Sequence, residues 1–188
     1  MIPRAFTLTA VALLVTTAAS VPAGDRRPAP PAPRDSVVIP ASISEEHLEL
    51  MAGLVNAAAE RGPVGQAARD LNALLQPHFD REEQIALPPL GLLRPLLDGG
   101  LPAGAEQVLP LTDSLRAELP RMLAEHRLIA AAVDHFEQVA RAENVYRYEM
   151  LAVSLRRHAR TEEEVLYPAA ILVGELVRAR TAEYARRR

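Results

Sequence analysis

The sequence predicts an all-α protein, an up-down-up-down four-helix bundle made of two duplicated helical hairpins, with a C-terminal helical extension. Apolar residues make up 49% of the 188 residues and aromatic residues only 4%. This composition disfavours strands, which are rich in aromatic and β-branched residues. It is dominated by alanine, leucine, glutamate and arginine, which favour helices. Apolar residues at helical spacing between turn residues, and an internal repeat, support the same fold class.

Capping and turn residues give the helix boundaries. The first helix is predicted to begin at Ser44, a good N-cap, and to end near Arg61, before Gly62-Pro63. Pro77 should kink the second helix or break it one turn early, and Pro120 is a second candidate kink. The remaining elements are predicted as a second helix over 64–86, an apolar connector over 87–111 with a short helix around 92–97, a third helix over 112–142, a fourth from after 144 to about 167, and a further helix after 168.

The N-terminal segments are predicted to lie outside the bundle. Residues 1–23 are typical of a signal peptide, with Arg4 as the only charge and small residues at Val21-Pro22-Ala23. Residues 24–42 are interpreted as a proline-rich linker, since such segments do not build a core. The bundle domain is expected over 43–188. These features predict a periplasmic or secreted protein, with an uncleaved anchor or a wrongly assigned start as the alternatives.

Composition also excludes several classes of chemistry and partner. The sequence has no cysteine, which excludes thiolate-bound zinc, iron–sulfur clusters and disulfides. A net charge of −3 provides no basic field for nucleic acid. No second stretch is apolar enough to span a bilayer, so the mature chain is expected to have no membrane span. Any chemistry must therefore use imidazole and carboxylate groups.

Two halves of the sequence repeat each other. A histidine, two glutamates, a β-branched residue and a proline recur 80 positions apart. A weaker repeat relates the Glu-His pairs at 46–47 and 125–126, which are 79 positions apart. The chain is therefore expected to contain two copies of one hairpin. The strongly repeated residues are His78, Glu82, Glu83, Ile85 and Pro88 in the first half and His158, Glu162, Glu163, Val165 and Pro168 in the second.

The repeated polar residues lie on the apolar sides of their helices. At about 100° per residue, offsets of −7, −3, +4 and +7 fall on one side of a helix. His135, nine residues after His126, falls on the opposite side and is expected at the surface. The residues expected to share a side with a histidine are Leu50, Met51 and Leu54; Leu71, Leu75 and Ile85; Leu119, Leu123, Ala130 and Val133; and Leu151, Leu155 and Val165.

The same residues are also expected at one height. His47 and His78 are 15 and 16 residues from the first turn, and His126 and His158 are each 16 residues from Ala142. At a rise of about 1.5 Å per residue, all four imidazoles lie about 24 Å from their turns. One layer of the bundle is therefore predicted to contain six candidate metal ligands, His47, His78, Glu82, His126, His158 and Glu162.

Such a layer requires a compensating charge. A buried unpaired polar group costs about 2–7 kcal/mol, and two facing carboxylates repel each other. No lysine or arginine lies on the four apolar sides near this height. Metal cations would neutralise the carboxylates, and imidazole with carboxylate suits iron or manganese. Manganese and zinc are not excluded by these ligands.

Over about residues 43–170 the pattern resembles the hemerythrin-like, or HHE cation-binding, family. The resemblance implies a non-haem centre of two iron ions inside the bundle. It implies His47 and His78 as ligands of one iron, His126 and His158 of the other, and Glu82 and Glu162 as bridges. Two positions depart from respiratory members of the family. Ala130 stands where those have another histidine, and Glu163 where they have an aspartate ligand; Glu162 is preferred because a +5 residue lies about 140° from the histidine.

Three functional classes follow from this resemblance. The first is a di-iron protein that binds or reacts with dioxygen, nitric oxide or peroxide, with an unknown redox partner; whether it turns over is left open. The second is an iron-buffering or iron- or oxygen-sensing module, and the third a helical module without metal. A dry pocket is expected beside Ala130, Met51, Met122 and Ile129, with segment 87–111 as either a lid or a packed connector.

Overall fold

The computed structural model describes residues 37–187. The expected signal peptide and all of the expected linker before residue 37 lie outside this range. Within the described range the chain forms helices and turns, with no strand. None of its helices combines the length and the apolar character that crossing a membrane requires.

Six α-helices make up most of the described chain. The helix bounds are α1 Ala41–Ala58, α2 Pro63–Ile85, α3 Leu93–Leu97, α4 Val108–Ala142, α5 Tyr146–Thr161 and α6 Tyr167–Arg186. Two 3₁₀ turns, Pro88–Leu92 and Ala105–Gln107, lie in the connector between α2 and α4. A π-helical turn, Glu162–Leu166, joins α5 to α6.

Four of these helices form the bundle. Helix α1 packs against α2 and α5, and α4 packs against the same two helices. This closed ring of neighbours is the arrangement expected of consecutive antiparallel helices with short turns. Helix α6 extends the bundle and packs on α4 and on the 3₁₀ turn Pro88–Leu92. The predicted all-α bundle of two hairpins with a C-terminal helical extension is confirmed.

Helix α1 begins earlier than predicted. The amides of Ile43 and Ser44 donate hydrogen bonds of 2.9 and 3.2 Å to the carbonyl of Pro40, so Ser44 lies inside the helix and is not its N-cap. The reason is tertiary: Val37 and Ile39 pack against apolar clusters of the fold, which holds the preceding chain in place. The folded domain therefore starts before residue 43.

The prolines inside the long helices do not break them. Pro77 lies within α2 and Pro120 within α4, and both helices continue through them. Both prolines are exposed, so the carbonyls that lose a helical hydrogen bond can be hydrated. The predicted early break at Pro77 is therefore wrong. Helix α4 also begins four residues before the predicted start, with Pro110 in its first turn, where no amide donor is needed.

Helix α5, the π turn and helix α6 follow one another without a break. The sequence had predicted a separate helix after Pro168. A π turn contains one more residue than an α turn and shifts the side chains that follow it. Val165 is consequently 53% exposed, although its repeat counterpart Ile85 is buried. Tyr167 is instead turned inward and is 1% exposed.

Two apolar clusters fill the interior of the bundle, and a third packs α6 against the connector and the start of α4. The turn-side cluster includes Leu50, Leu54, Leu71, Leu75, Phe79, Ile129, Val133, Phe136, Tyr148 and Leu155. The connector-side cluster consists of Ile85, Ala86, Leu87, Leu90, Leu115, Met122, Tyr167 and Ala170. Leu92, Leu96, Ala105, Val108, Val173 and Val177 form the third cluster. Segment 87–111 contributes buried leucines to two clusters and is therefore a packed connector.

Helix α6 approaches α4 closely at Gly174. A Cβ atom added there would lie 2.2 Å from Oγ1 of the buried Thr112. Alanine favours the helix over glycine by about 1 kcal/mol, but overpacking costs about 3 kcal/mol. We expect Gly174→Ala to destabilise the protein by about 2 kcal/mol in chemical denaturation.

Gly53→Ala is the matched control for this prediction. A Cβ atom at Gly53 would meet only the flexible side chain of Leu151, at 3.0 Å. This variant should be as stable as the parent protein or more stable, because the helix gains alanine without a fixed obstacle. Equal stability of the two variants would contradict the close approach of α6 to α4.

Candidate metal centre

One buried polar layer lies between the turn-side and connector-side clusters. Each of its six side chains is at most 4% exposed. Four helices and the π turn contribute them, because each residue interrupts the apolar side of its helix. The members are His47 from α1, His78 and Glu82 from α2, His126 from α4, His158 from α5 and Glu162 from the π turn. The structure thus brings together all six residues singled out from the sequence.

The six side chains form two groups that share both glutamates. His47 and His158 belong to one group and His78 and His126 to the other, and within each group the ligand atoms lie within 4.8 Å of one another. The paired rings are 4.9 and 4.6 Å apart between centroids. This pairing differs from the one implied by the resemblance, because each group takes one histidine from each hairpin.

Each glutamate directs its two oxygens to different groups. For Glu162, Oε1 lies 2.9 Å from Nε2 of His158 and 3.5 Å from that of His47, whereas Oε2 lies 3.4 Å from Nε2 of His126. For Glu82, Oε1 lies 3.2 Å from Nε2 of His78, and Oε2 lies 3.9 Å from that of His47. Both carboxylates are therefore placed to bridge the two groups.

All four imidazoles turn Nε2 inward and Nδ1 outward, toward a second set of carboxylates. Such a carboxylate fixes the tautomer and orientation of a metal-binding histidine. The Nδ1 contacts are His47 with Glu83 at 3.2 Å, His78 with Glu125 at 2.9 Å, His126 with Glu163 at 2.8 Å and His158 with Glu46 at 3.5 Å.

Sequence reasoning did not assign a function to these four outer glutamates. The sequence nevertheless contains a pattern that could have found them. A glutamate directly precedes His47 and His126, and another follows His78 and His158 at +5. Glu163 is an example: it points away from the histidine of its own helix and accepts a hydrogen bond from His126 Nδ1. Its position in the π turn after α5 gave by itself no indication of that partner on α4.

Tyr167 is a further member of the site that the sequence did not reveal. Its hydroxyl donates a hydrogen bond to Oε1 of Glu82 and lies 3.2 Å from Nε2 of His126. The repeat counterpart of Tyr167 is Leu87, so the repeat gave no sign of a polar group here. The π turn, which turns Tyr167 inward, is not visible in the residue pattern.

The polar atoms of the layer fit a bound cation. Within residues 37–187, several buried atoms facing the interior have no hydrogen-bond partner. They are Nε2 of His47, His78 and His158, Oε2 of Glu82 and both carboxylate oxygens of Glu162. Each such atom costs about 1–3 kcal/mol when left unsatisfied. Imidazole nitrogen and carboxylate oxygen are ligands for iron, manganese and zinc, so cations would satisfy these atoms together.

The two glutamates have opposite electrostatic environments. Burial raises the pKa of Glu82, and the nearby charge of Glu162 raises it further. Burial also acts to raise the pKa of Glu162, but the nearby imidazoles of His126, His158 and His47 outweigh it and hold that pKa well below its usual range. Glu162 therefore stays ionised and offers two charged oxygens to a cation.

The histidines respond to these carboxylates. Burial acts to lower the pKa of His78, but Glu82 and Glu125 outweigh burial and raise it to about 9. The pKa of His126 and that of His158 are raised as well, since their carboxylate partners also outweigh burial. A raised pKa favours the protonated imidazole, so a cation that binds here would compete with these protons.

Other sequence expectations about the surroundings hold only in part. Met122 and Ile129, at −4 and +3 from His126, are buried, whereas Ala130 at +4 is exposed and Met51 is half-buried. The buried side of α4 is thus rotated from the expected one, and Ala130 does not line the layer. His135 is exposed, as predicted.

Comparison with known proteins agrees with this geometry. The family model of the hemerythrin HHE cation-binding domain matches residues 41–170. This range includes all six side chains of the layer, the four outer glutamates and Tyr167. The comparisons with curated proteins and with solved structures give no match. The chain belongs to the hemerythrin HHE cation-binding domain family.

Proposed function

We propose that this metal-binding protein holds two iron ions and that the reduced centre binds or reacts with dioxygen, nitric oxide or peroxide. The observation that carries the proposal is the division of the layer into two groups sharing both glutamates. The four oxygens of Glu82 and Glu162 are divided between the two groups, so each group would suit one cation. A single cation would leave one pair of Nε2 atoms buried and unpaired.

The number of protein donors supports reaction with a small ligand. Each group offers two imidazole nitrogens and one oxygen from each of two glutamates. Non-haem iron that retains open coordination positions binds oxygen species directly. An iron ion held by the four donors of one group would have room for a small ligand. When bound, the iron pair supplies electrons and a Lewis-acidic place for the small ligand.

The surrounding side chains complete the proposed role. The turn-side cluster, with Phe79 stacked on His47 at 4.0 Å between ring centroids, excludes water from one side of the layer. Tyr167 closes the other side and holds a hydroxyl proton between Glu82 and His126. Three of the outer glutamates, Glu83, Glu125 and Glu163, keep their imidazoles oriented by accepting Nδ1 protons.

An extracytoplasmic location is part of the proposal. It is supported by the apolar stretch and small-residue cleavage pattern in residues 1–23. The second candidate function is iron buffering or iron or oxygen sensing, in which occupancy of the site changes bundle stability. It is favoured by the raised pKa of His78, His126 and His158 beside the buried carboxylates, since a cation that displaces protons couples metal binding to stability.

Anaerobic loading with ferrous iron tests the proposed function. We expect two irons per chain by elemental analysis, followed by ligand-to-metal charge-transfer absorption in the near ultraviolet when air, nitric oxide or peroxide is added. Fewer than one iron per chain would contradict the di-iron proposal. Full loading without any spectral response to the three ligands would favour the buffering or sensing function.

A further inference from the structure

Two grooves on opposite faces of the bundle lead toward the metal layer. One lies between α1 and α5, above the His158–Glu46 contact, and the other between α2 and α4, above the His78–Glu125 contact. The internal repeat relates these two contacts to each other. The grooves are therefore equivalent places in the fold, and differences between them reflect their side chains.

The α2–α4 groove, which is lined by His78, also carries two arginines that form ion pairs with glutamates. Arg81 donates to Glu118 from both Nε and a terminal nitrogen. Arg121 contacts Glu118 and lies 3.7 Å from Glu125. Beside these ion pairs, Nδ1 of His78 donates a hydrogen bond of 2.9 Å to Glu125. Two guanidinium groups at this groove oppose the approach of a cation.

The α1–α5 groove is acidic. Glu45, Glu46 and Glu49 line it, and Arg157 is the one basic residue among the described residues that line it. The groove encloses about 470 Å³, which is room for a cation with its hydration shell, since each water occupies about 30 Å³. The repeat places Ser42 here where the other groove has Arg121. The three carboxylates, and a serine where the other groove has Arg121, both favour the approach of a metal cation.

Glu46 lines this groove and connects it to the metal layer through its contact with His158. His158 is 2% exposed, and its Nδ1 has no hydrogen-bond partner within the range that the structure describes. The nearest carboxylate oxygen, Oε1 of Glu46, lies 3.5 Å away. Glu46 itself lines the groove and is 39% exposed. This contact is the loosest of the four between Nδ1 and an outer glutamate, so Glu46 can turn to the groove at little cost.

We propose that the acidic groove of Ser42, Glu45, Glu46, Glu49 and Ser154 is the route by which divalent cations reach the buried layer. This inference rests on the proposed metal centre and adds a function for surface residues outside it. Glu45 and Glu49 attract the hydrated cation. Glu46, which faces both the groove and His158, is the carboxylate through which the cation passes inward.

Stopped-flow uptake of Co²⁺ by the metal-free full chain tests this route. Cobalt in an imidazole and carboxylate site has visible d–d absorption, which reports the rate and the final stoichiometry separately. We expect Glu45→Gln/Glu49→Gln to slow uptake about tenfold at low ionic strength, because clefts of one charge accelerate association. The difference should shrink at 0.5 M salt, where the screening length falls below about 5 Å. The final cobalt content should not change, since neither residue contacts the layer.

A charge-matched control variant and a variant with an added arginine complete the test. Glu143→Gln/Asp98→Asn removes two exposed carboxylates outside the groove and should leave the uptake rate as in the parent protein. Ser42→Arg should slow uptake, because it introduces the arginine that the α2–α4 groove has at the equivalent position, Arg121. Equal rates for the groove and control variants, with cobalt fully bound, would overturn the route but not the metal centre. No cobalt bound by the parent protein would overturn both.

Discussion

Glu162→Ala is expected to empty both metal positions. Its Oε1 lies within 3.5 Å of Nε2 of His47 and of His158, and its Oε2 lies 3.4 Å from Nε2 of His126. Removal of an outer partner of a metal ligand already costs about 10- to 100-fold in affinity. Loss of an oxygen from both groups should cost at least about 100-fold at each. Elemental analysis after anaerobic iron loading and desalting measures the outcome.

Glu164→Ala is the matched control, two residues along the same turn. The Glu164 side chain is 68% exposed and lies 4.0 Å from Arg160, so it takes no part in the layer. This variant should keep the metal content of the parent protein. Circular dichroism should show the same helix content for both variants, which separates loss of ligands from loss of fold. Retention of two irons by the Glu162 variant would end the assignment of this residue as a bridge.

Paired histidine substitutions are expected to distinguish the two groups by metal count. His47→Ala/His158→Ala removes both imidazoles of one group and should leave one cation per chain, held by His78, His126 and the glutamates. His47→Ala/His78→Ala removes one imidazole from each group. Neither group then keeps both histidines, so this variant should retain no cation. Native mass spectrometry of the cobalt-loaded variants counts the cations directly.

The two double variants are controls for each other, because each deletes two buried imidazoles from the same layer. A cation retained by His47→Ala/His78→Ala but not by His47→Ala/His158→Ala would restore the pairing within hairpins that the family resemblance implies. Loss of all metal from both variants would mean that the two positions are not separable. His135→Ala, at an exposed histidine outside the layer, should retain both cations.

Sequence periodicity was sufficient to find the layer. Leu71, Leu75, His78, Glu82 and Ile85 were expected on one side of a helix, and all five are buried. This worked because an α-helix turns by about 100° per residue whatever surrounds it. The repeat then indicated that the second half holds its histidine and glutamate at the same height.

Periodicity failed where helical geometry changed locally. Val165 was expected in the core and is exposed, because the π turn Glu162–Leu166 adds a residue within the helix. The same turn brings Tyr167 to Glu82. The prediction of Ser44 as the N-cap was wrong for another reason. Helix α1 begins before Ser44 because Val37 and Ile39 pack against apolar clusters of the fold. Local propensity did not determine either position.

The sequence by itself determined that six polar side chains face inward at one height, since direction and rise along a helix depend only on residue spacing. Only the tertiary structure decided that His47 pairs with His158 and His78 with His126. It also decided that Glu46 is the loosest of the four outer partners. The physical reason is that partners across helices depend on how the hairpins pack against each other, which residue spacing within one helix does not specify.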